Sequence, residues 1–357
     1  MGGEHPDTND TISVLGDVFL RLGQPSTALE CYERALESAR LAADFWLEAG
    51  LLNRLASCYR RLGDLSQAAV FYQQALELAR KNENHAAETE ALVRLGTCLR
   101  RQGGIEDGIA CYREALSLSE QFNQPIAQID ALLALGLALA TLGEDESAFA
   151  MYTQAAHKAT ESSDYWGLLA SFNRSAVLCL DRKEVETALK WCEYAEEYVP
   201  SIDEFETKSE LRLNRAMLEL AREKPQDALA AIEQATLNDE PYILHRILIV
   251  RSITLLLLGQ SDEARSDFMS TLRRADELIA LAPRNVEAYD IRGLALCGLA
   301  LLEGPEHITE ARSAFAQARA ISRAPGLVRT AGRLLENLLK VDVHGHLMQM
   351  PDALSGE

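Results

Sequence analysis

A small residue, an aromatic four positions later and an alanine three further on recur along this chain at a constant step of forty residues. The sets are Ala28, Tyr32, Ala35; Ala68, Tyr72, Ala75; Gly108, Tyr112, Ala115; and Ala148, Tyr152, Ala155. Ala188, Cys192, Ala195 and Ala228, Ile232, Ala235 continue the step with the aromatic replaced. Self-similarity at one fixed period means a stack of like units, each too small to bury its own apolar face and stable only against its neighbours. The length of 357 residues, which would otherwise suggest two compact domains, therefore reads as one elongated array.

Each unit is written in helical terms. Spacings of three, four and seven place the small residue, the aromatic and the alanine on one helical face. Proline is sparse, at 10 residues, which favours helix throughout. Ahead of each set stands a second signature: Leu15-Gly16, Leu55-Ala56, Leu95-Gly96 and Leu135-Gly136, followed by Gly23, Gly63, Gly103 and Gly143. Small residues at Gly16 and its equivalents let two helices approach, the tyrosines fill the space between units, and the later glycines suit a turn at positive φ. Asp44, Asn84 and Asp164 read as N-caps of the next helix, and Asn123-Gln124-Pro125 marks the same point in its unit.

These residues together resemble the tetratricopeptide family over roughly residues 10–325. The resemblance implies an all-α fold, a TPR α-solenoid wound as a right-handed superhelix of about eight helical hairpins with a C-terminal capping helix. That family commonly repeats every 34 residues, so six are extra here, and they are expected between the second helix of one unit and the first of the next. Similar long repeats occur in kinesin light chains, bacterial peptide-sensing regulators and STAND-class regulatory ATPases. The opening Gly-Glu-His-Pro-Asp-Thr resembles a repeat-start phrase of kinesin-light-chain-like proteins.

Regularity decays along the chain. Lys183 and Glu223 stand where the turn glycine is expected, a seventh unit anchors on Ala264 and Phe268, and an eighth on Gly293, Ala311, Phe315 and Ala318. The expected organisation is a lead at 1–9, six regular units over 10–240, two irregular units over 241–325, a capping helix at 326–340 and a mobile tail at 341–357.

Several function classes are disfavoured. No GxxxxGK[ST], HExxH or GxSxG motif occurs, so neither a catalytic site nor a cofactor is expected. The seven cysteines form no Cys-x-x-Cys pair and read as small core hydrophobes. His344 and His346 lack further ligands in the sequence, so no metal is expected. A net charge of −19 argues against nucleic acid as partner. No window approaches eighteen uninterrupted apolar residues and the start is polar, so no membrane contact and a cytoplasmic location are expected.

The informative feature is a face. In the resembled family the first helix of each unit lines a concave groove, with positions around the Leu-Gly pair pointing into it. Carried onto this chain, that register selects Arg54, Arg61, Arg94 and Arg101, with Arg21 and Arg174 as counterparts in units one and five, and Arg60 and Arg100 flanking. Arg54 and Arg61 are seven apart and share a face. Guanidinium groups suit bidentate capture of carboxylates, so the expected guest is a protein or peptide with acidic or carboxylate groups. The competing reading is that these arginines pair with acids on adjacent helices. Asn53 and Asn173, in one register, could hold a peptide backbone, with Asn214 close to the same place.

Phe45-Trp46 and Tyr165-Trp166 occupy equivalent positions and are read chiefly as packing between units. Leu213, Met217, Leu220, Ile249, Ile253 and Leu256 offer an apolar continuation suited to an amphipathic segment. The expected function is a scaffold or adaptor holding a peptide or helix. The alternatives are the sensor repeats of a regulator and self-assembly as a homo-oligomer through an end of the stack.

Overall fold

The computed structural model describes residues 6–201, 205–235 and 243–356. Six hairpins come first: α1 (Pro6–Arg21) with α2 (Pro25–Leu41), α3 (Phe45–Leu62) with α4 (Leu65–Lys81), and α5 (His85–Arg101) with α6 (Ile105–Gln121). They continue as α7 (Pro125–Leu142) with α8 (Asp145–Ser162), α9 (Tyr165–Asp181) with α10 (Val185–Glu197), and α11 (Phe205–Ala221) with α12 (Pro225–Ala235). Two further hairpins are α13 (Leu244–Leu257) with α14 (Ser261–Leu281) and α15 (Val286–Glu303) with α16 (Ile308–Ile321). The chain ends in α17 (Pro325–Leu339) and the short α18 (Met350–Ser355). No strand occurs among the described residues. Part of the expected N-terminal lead and the boundary expected at residue 240 lie outside the described residues; α1 already begins at Pro6.

The forty-residue unit divides into two nearly equal halves, each a helix and a turn of two or three residues. Left-handed backbone recurs every twenty residues, at Gly23, Ala43, Gly63, Glu83, Gly103, Asn123, Gly143, Ser163 and Lys183, and again at Glu223. Lys183 and Glu223 adopt the same conformation as the glycines they replace, with φ of 61° and 59°. A side chain in this region costs roughly 1–2 kcal/mol, which the packing of the flanking helices offsets. Both kinds of connection are equally short, so the six extra residues are not an inter-unit loop. They lengthen the helices, which reach 17 or 18 residues in most of the regular units, about 26 Å at 1.5 Å per residue. Asp44, Asn84 and Asp164 cap their helices by accepting from the backbone N–H of Leu47, Ala87 and Trp166.

Tyr32, Tyr72, Tyr112 and Tyr152 are at most 2% exposed, and Tyr32, Tyr112 and Tyr152 lie over Gly16, Gly96 and Gly136 of the partner helices. A Cβ on Gly136 would sit 2.5 Å from the Tyr152 ring, and one on Gly16 2.6 Å from that of Tyr32. Phe315 covers Gly293 in the same way, which confirms the small-residue reading into the irregular units. The apolar α7 is long and apolar enough to cross a bilayer by composition alone. Here it packs between α5, α6, α8 and α9, and much of it is buried.

The segment from Val341 is not a free tail. Leu347, Met350 and Leu354 are buried in the same core as α13, α15 and α17. The Asp342 carboxylate accepts from the backbone N–H of His346 and Leu347, turning the chain back onto the stack. Leu347, Met350 and Leu354, three and four residues apart, carried that information, outside any repeat register.

The C-terminal elements then close the superhelix on itself. They run along the edge formed by the turns within units two to six. Arg274 and Arg284 donate to the carbonyls of Leu62 and Gln102. Gly103 abuts Ile321, and Gly143 abuts Pro325. Arg329 spans both oxygens of Asp145 at 2.7 Å and also donates to the Ala140 carbonyl. Arg333 faces Asp181 at 2.9 Å, with exposed pairs Lys183–Glu336 and Lys340–Glu223 beyond it. The concave side is thus a roofed chamber.

Candidate functional site

The chamber is a cavity of about 740 Å³ walled by the odd-numbered helices from α1 to α17, with Tyr112 and Tyr152 reaching in from α6 and α8. Helix packing explains the wall: the even helices carry the outer surface, and the odd ones turn inward at positions set by the forty-residue register. Arg54, Arg61, Arg94, Arg101, Asn173 and Arg174 all line it, as do the flanking Arg60 and Arg100. Two expected residues do not. Arg21 stands exposed at the end of α1. Asn53 is fully buried and donates to the Ala87 carbonyl at 3.0 Å, so its amide joins α3 to α5.

The arginines do not form a bare positive ladder. Nine arginines and eight carboxylates line the cavity, a near balance that removes any strong net field. Arg54 lies 3.4 Å from Asp17 and also donates to Ser13. Arg94 is 3.7 Å from Asp130, Arg61 donates to the Leu20 carbonyl, and Arg101 reaches across to Glu287 at 2.8 Å. Much of the row therefore follows the competing reading of internal pairing. Arg174 is different: among the described residues it has no ion pair or hydrogen bond, and its Nε is buried. Asn173 accepts from the Asn214 side chain at 3.0 Å, linking α9 to α11 on the cavity wall.

Sequence reasoning missed the roof. Arg246, Glu287, Asp290 and Arg333 belong to irregular units or to α17, where no repeat register guides a reader. The one available signal was the spacing of Arg329 and Arg333, four apart on α17, opposite acids at Asp145 and Asp181. Of the expected apolar continuation, Leu213, Met217 and Ile249 line the cavity, whereas Leu220 and Ile253 are core. Trp166 also lines it, but Phe45 and Trp46 are 47% and 58% exposed rather than packed between units.

Glu287 is the electrostatic centre of the closure. Burial alone would raise its carboxyl, but His245, Arg101 and Arg246 around it hold it well below the usual carboxylate range. Burial pushes His245 below its ordinary 6.5, despite Glu287 at 3.7 Å. The Arg329 hydrogen bonds lower Asp145, while burial raises Asp181. A depressed carboxylate stabilises the fold above its unfolded value and loses that contribution as pH falls. A histidine kept neutral by burial likewise destabilises the fold as pH drops below 6.5, because the unfolded chain binds its proton more readily. Asp181 opposes these just above 3.8. Asp290, raised by burial to about 7, gains stability as pH falls through the same window, so the His245 contribution is read as a difference. The melting midpoint of the parent is expected to fall more, or rise less, between pH 7 and 5.5 than that of His245→Gln, and an identical pH dependence in the two would show that His245 titrates without consequence.

Burial raises the thiols of Cys58 and Cys192 to about 12 and Cys98 to about 11, in keeping with cysteines that serve as core side chains.

Comparison with known proteins agrees with this architecture. Among curated proteins, none matches the chain in sequence. A Rap protein solved with Competence and Sporulation Factor superposes with a TM-score of 0.65 at 13% identity, over 98% of this chain and 95% of the other. The Rap conjugation gene regulator of plasmid pLS20, solved with the Phr* peptide, gives 0.59 at 17% identity over 79% and 76%. Aspartyl phosphate phosphatase F from Bacillus subtilis gives 0.56 at 15% identity over 74% and 69%. At these identities the likeness is one of fold. Repeats of this type generally serve as interaction scaffolds. The family model described as the MalT-like TPR region matches residues 8–282, most of the chain, and the chain belongs to that tetratricopeptide family.

Proposed function

We propose that this protein is a non-catalytic scaffold that holds a short peptide inside its central cavity. The observation behind the reading is the roofed 740 Å³ chamber, lined by arginine, asparagine and carboxylate groups beside a long apolar wall. That volume falls in the ~300–1,000 Å³ range of ligand sites. A helix about 10 Å wide and three turns long would need more, so the guest is a short segment of a few residues. The two Rap neighbours, solved with a peptide and with a sporulation factor, support this at the level of fold.

The near balance of charge narrows the expected acidity of the guest to few anionic groups on a largely apolar body. A sensory output is favoured by the closure itself. A guest touching both α3–α9 and α13–α17 would interact with the closed ring differently from an open one, and so shift the balance between them.

The test is retention of a randomised heptapeptide pool, read by mass spectrometry, with Ala134→Trp as the comparison. Ala134 lines the cavity on α7, and an indole there fills the space between the arginines of units three and five. Peptides held by the parent protein and lost from Ala134→Trp, with an unchanged melting curve, support the cavity. Equal retention by both would place binding elsewhere.

A further inference from the structure

The tyrosine ladder has one broken rung. Tyr32 donates its hydroxyl to Asp17 at 2.7 Å, Tyr72 shares a hydrogen bond with Ser57 at 2.8 Å, and Tyr112 donates to Thr97 at 3.3 Å. In each case the partner stands fifteen residues earlier, on the first helix of the same unit. For Tyr152 that position is Leu137, which can neither accept nor donate. Tyr152 is 2% exposed, lines the cavity, and has no hydrogen bond among the described residues. A phenol this deeply buried normally finds a partner.

The surroundings of that hydroxyl are built from the same unit's departures from the repeat. At the positions where neighbouring units place Arg54, Arg94, Arg60 and Arg100, the fourth unit has Ala134 and Ala140, which leave a recess on the cavity wall. Arg174 from the next unit and Arg100 from the previous one are the cations whose charge reaches Tyr152. Arg174 has no acid partner among the described residues, Arg100 also hydrogen-bonds the Tyr112 hydroxyl, and the Nε atoms of both arginines are buried without hydrogen bonds. Burial raises the Tyr152 phenol to about 12, so it is a donor at neutral pH. The acids in range, Asp145 and Asp181, are already engaged by Arg329 and Arg333.

We infer that Tyr152, Arg174 and Arg100 form a carboxylate-binding subsite in the wall of the cavity. The phenol donates one hydrogen bond and the guanidinium groups supply the charge, so that the bound carboxylate takes the place that Asp17 holds beside Tyr32. The adjoining Leu133, Leu137 and Val177 would receive an apolar neighbour of that carboxylate. The carboxylate can be a chain terminus or an Asp or Glu side chain. This subsite rests on the peptide reading above and specifies its anchor.

The probe is a heptapeptide pool made in three forms: free C-terminus without Asp or Glu, amidated C-terminus with Asp or Glu, and amidated without either. Retention by the parent protein of one or both carboxylate-bearing forms is expected, with the carboxylate-free form at least tenfold weaker; which form is held identifies the source. Tyr152→Phe and Arg174→Gln should each lower retention about tenfold, and Tyr152→Phe should leave the melting curve unchanged because no internal bond is lost. Equal retention of the carboxylate-free form, or undiminished retention by both variants, overturns the subsite. If Ala134→Trp still abolishes that retention, the cavity reading stands without it. Retention of no form by the parent protein overturns both.

Discussion

Reversing charge at both Arg329 and Arg333 is expected to unlatch α17 from the edge of α7 and α9 and open the ring. Arg333 and Asp181 are 14% and 9% exposed, so they face each other largely out of solvent. Removing one partner of such a pair leaves an uncompensated charge and costs about 3–5 kcal/mol. The Arg329–Asp145 pair is more exposed, at 30% and 18%, and its share is about 1 kcal/mol. The helices themselves are stabilised by neighbour packing that the substitutions do not touch, so helicity should persist. Small-angle scattering should show a larger radius of gyration, and α17 amides should exchange faster. An unchanged radius together with unchanged exchange would mean that the close packing of Gly326 and Pro325 on the backbone of Ala140, Thr141 and Gly143 holds the roof unaided.

A loss of similar size is expected from Arg319→Met, for a different reason. Arg319 and Asp290 form a pair between α16 and α15 that is 2% and 7% exposed, with one guanidinium nitrogen serving both carboxylate oxygens. Without the arginine, the carboxylate is buried alone, at about 3–5 kcal/mol. Burial already raises Asp290, and loss of Arg319 removes the main opposing influence. The folded variant then binds a proton more readily than the unfolded chain, so its deficit should be larger at pH 8 than at pH 5. The double variant Arg319→Met/Asp290→Leu removes both charges and should recover most of the loss. Urea unfolding of the parent, single and double forms measures this. A double variant as weak as the single one would assign the cost to lost packing.

Much of the wall of the candidate site was legible because it obeys the register. Arg54 and Arg94, or Arg61 and Arg101, differ by forty residues and so occupy the same place on successive helices. Asn53 obeys the same register yet leaves the cavity, because its amide reaches the Ala87 carbonyl of the next unit, whereas Asn173 at the same position meets the Asn214 side chain and stays on the wall. What each arginine does was not legible at all. Whether Arg94 meets Asp130 or a guest depends on distances across helices, and Arg174 has no ion pair among the described residues because Leu137 stands where Asp17 meets Arg54. The broken rung at Leu137 was visible in the sequence as one residue out of pattern, but it acquires meaning only once the other three tyrosine hydroxyls are seen to be satisfied.

The forty-residue step by itself determined the helices, their turns, the small-residue contacts beneath each tyrosine and the membership of a repeat family, because all of these are local or nearest-neighbour interactions. Only the tertiary structure decided that the stack closes into a ring. Closure depends on a small rotation per unit, summed over eight units, which no single repeat encodes. It is fastened by pairs such as Arg101–Glu287 and Arg329–Asp145, 186 and 184 residues apart in the chain.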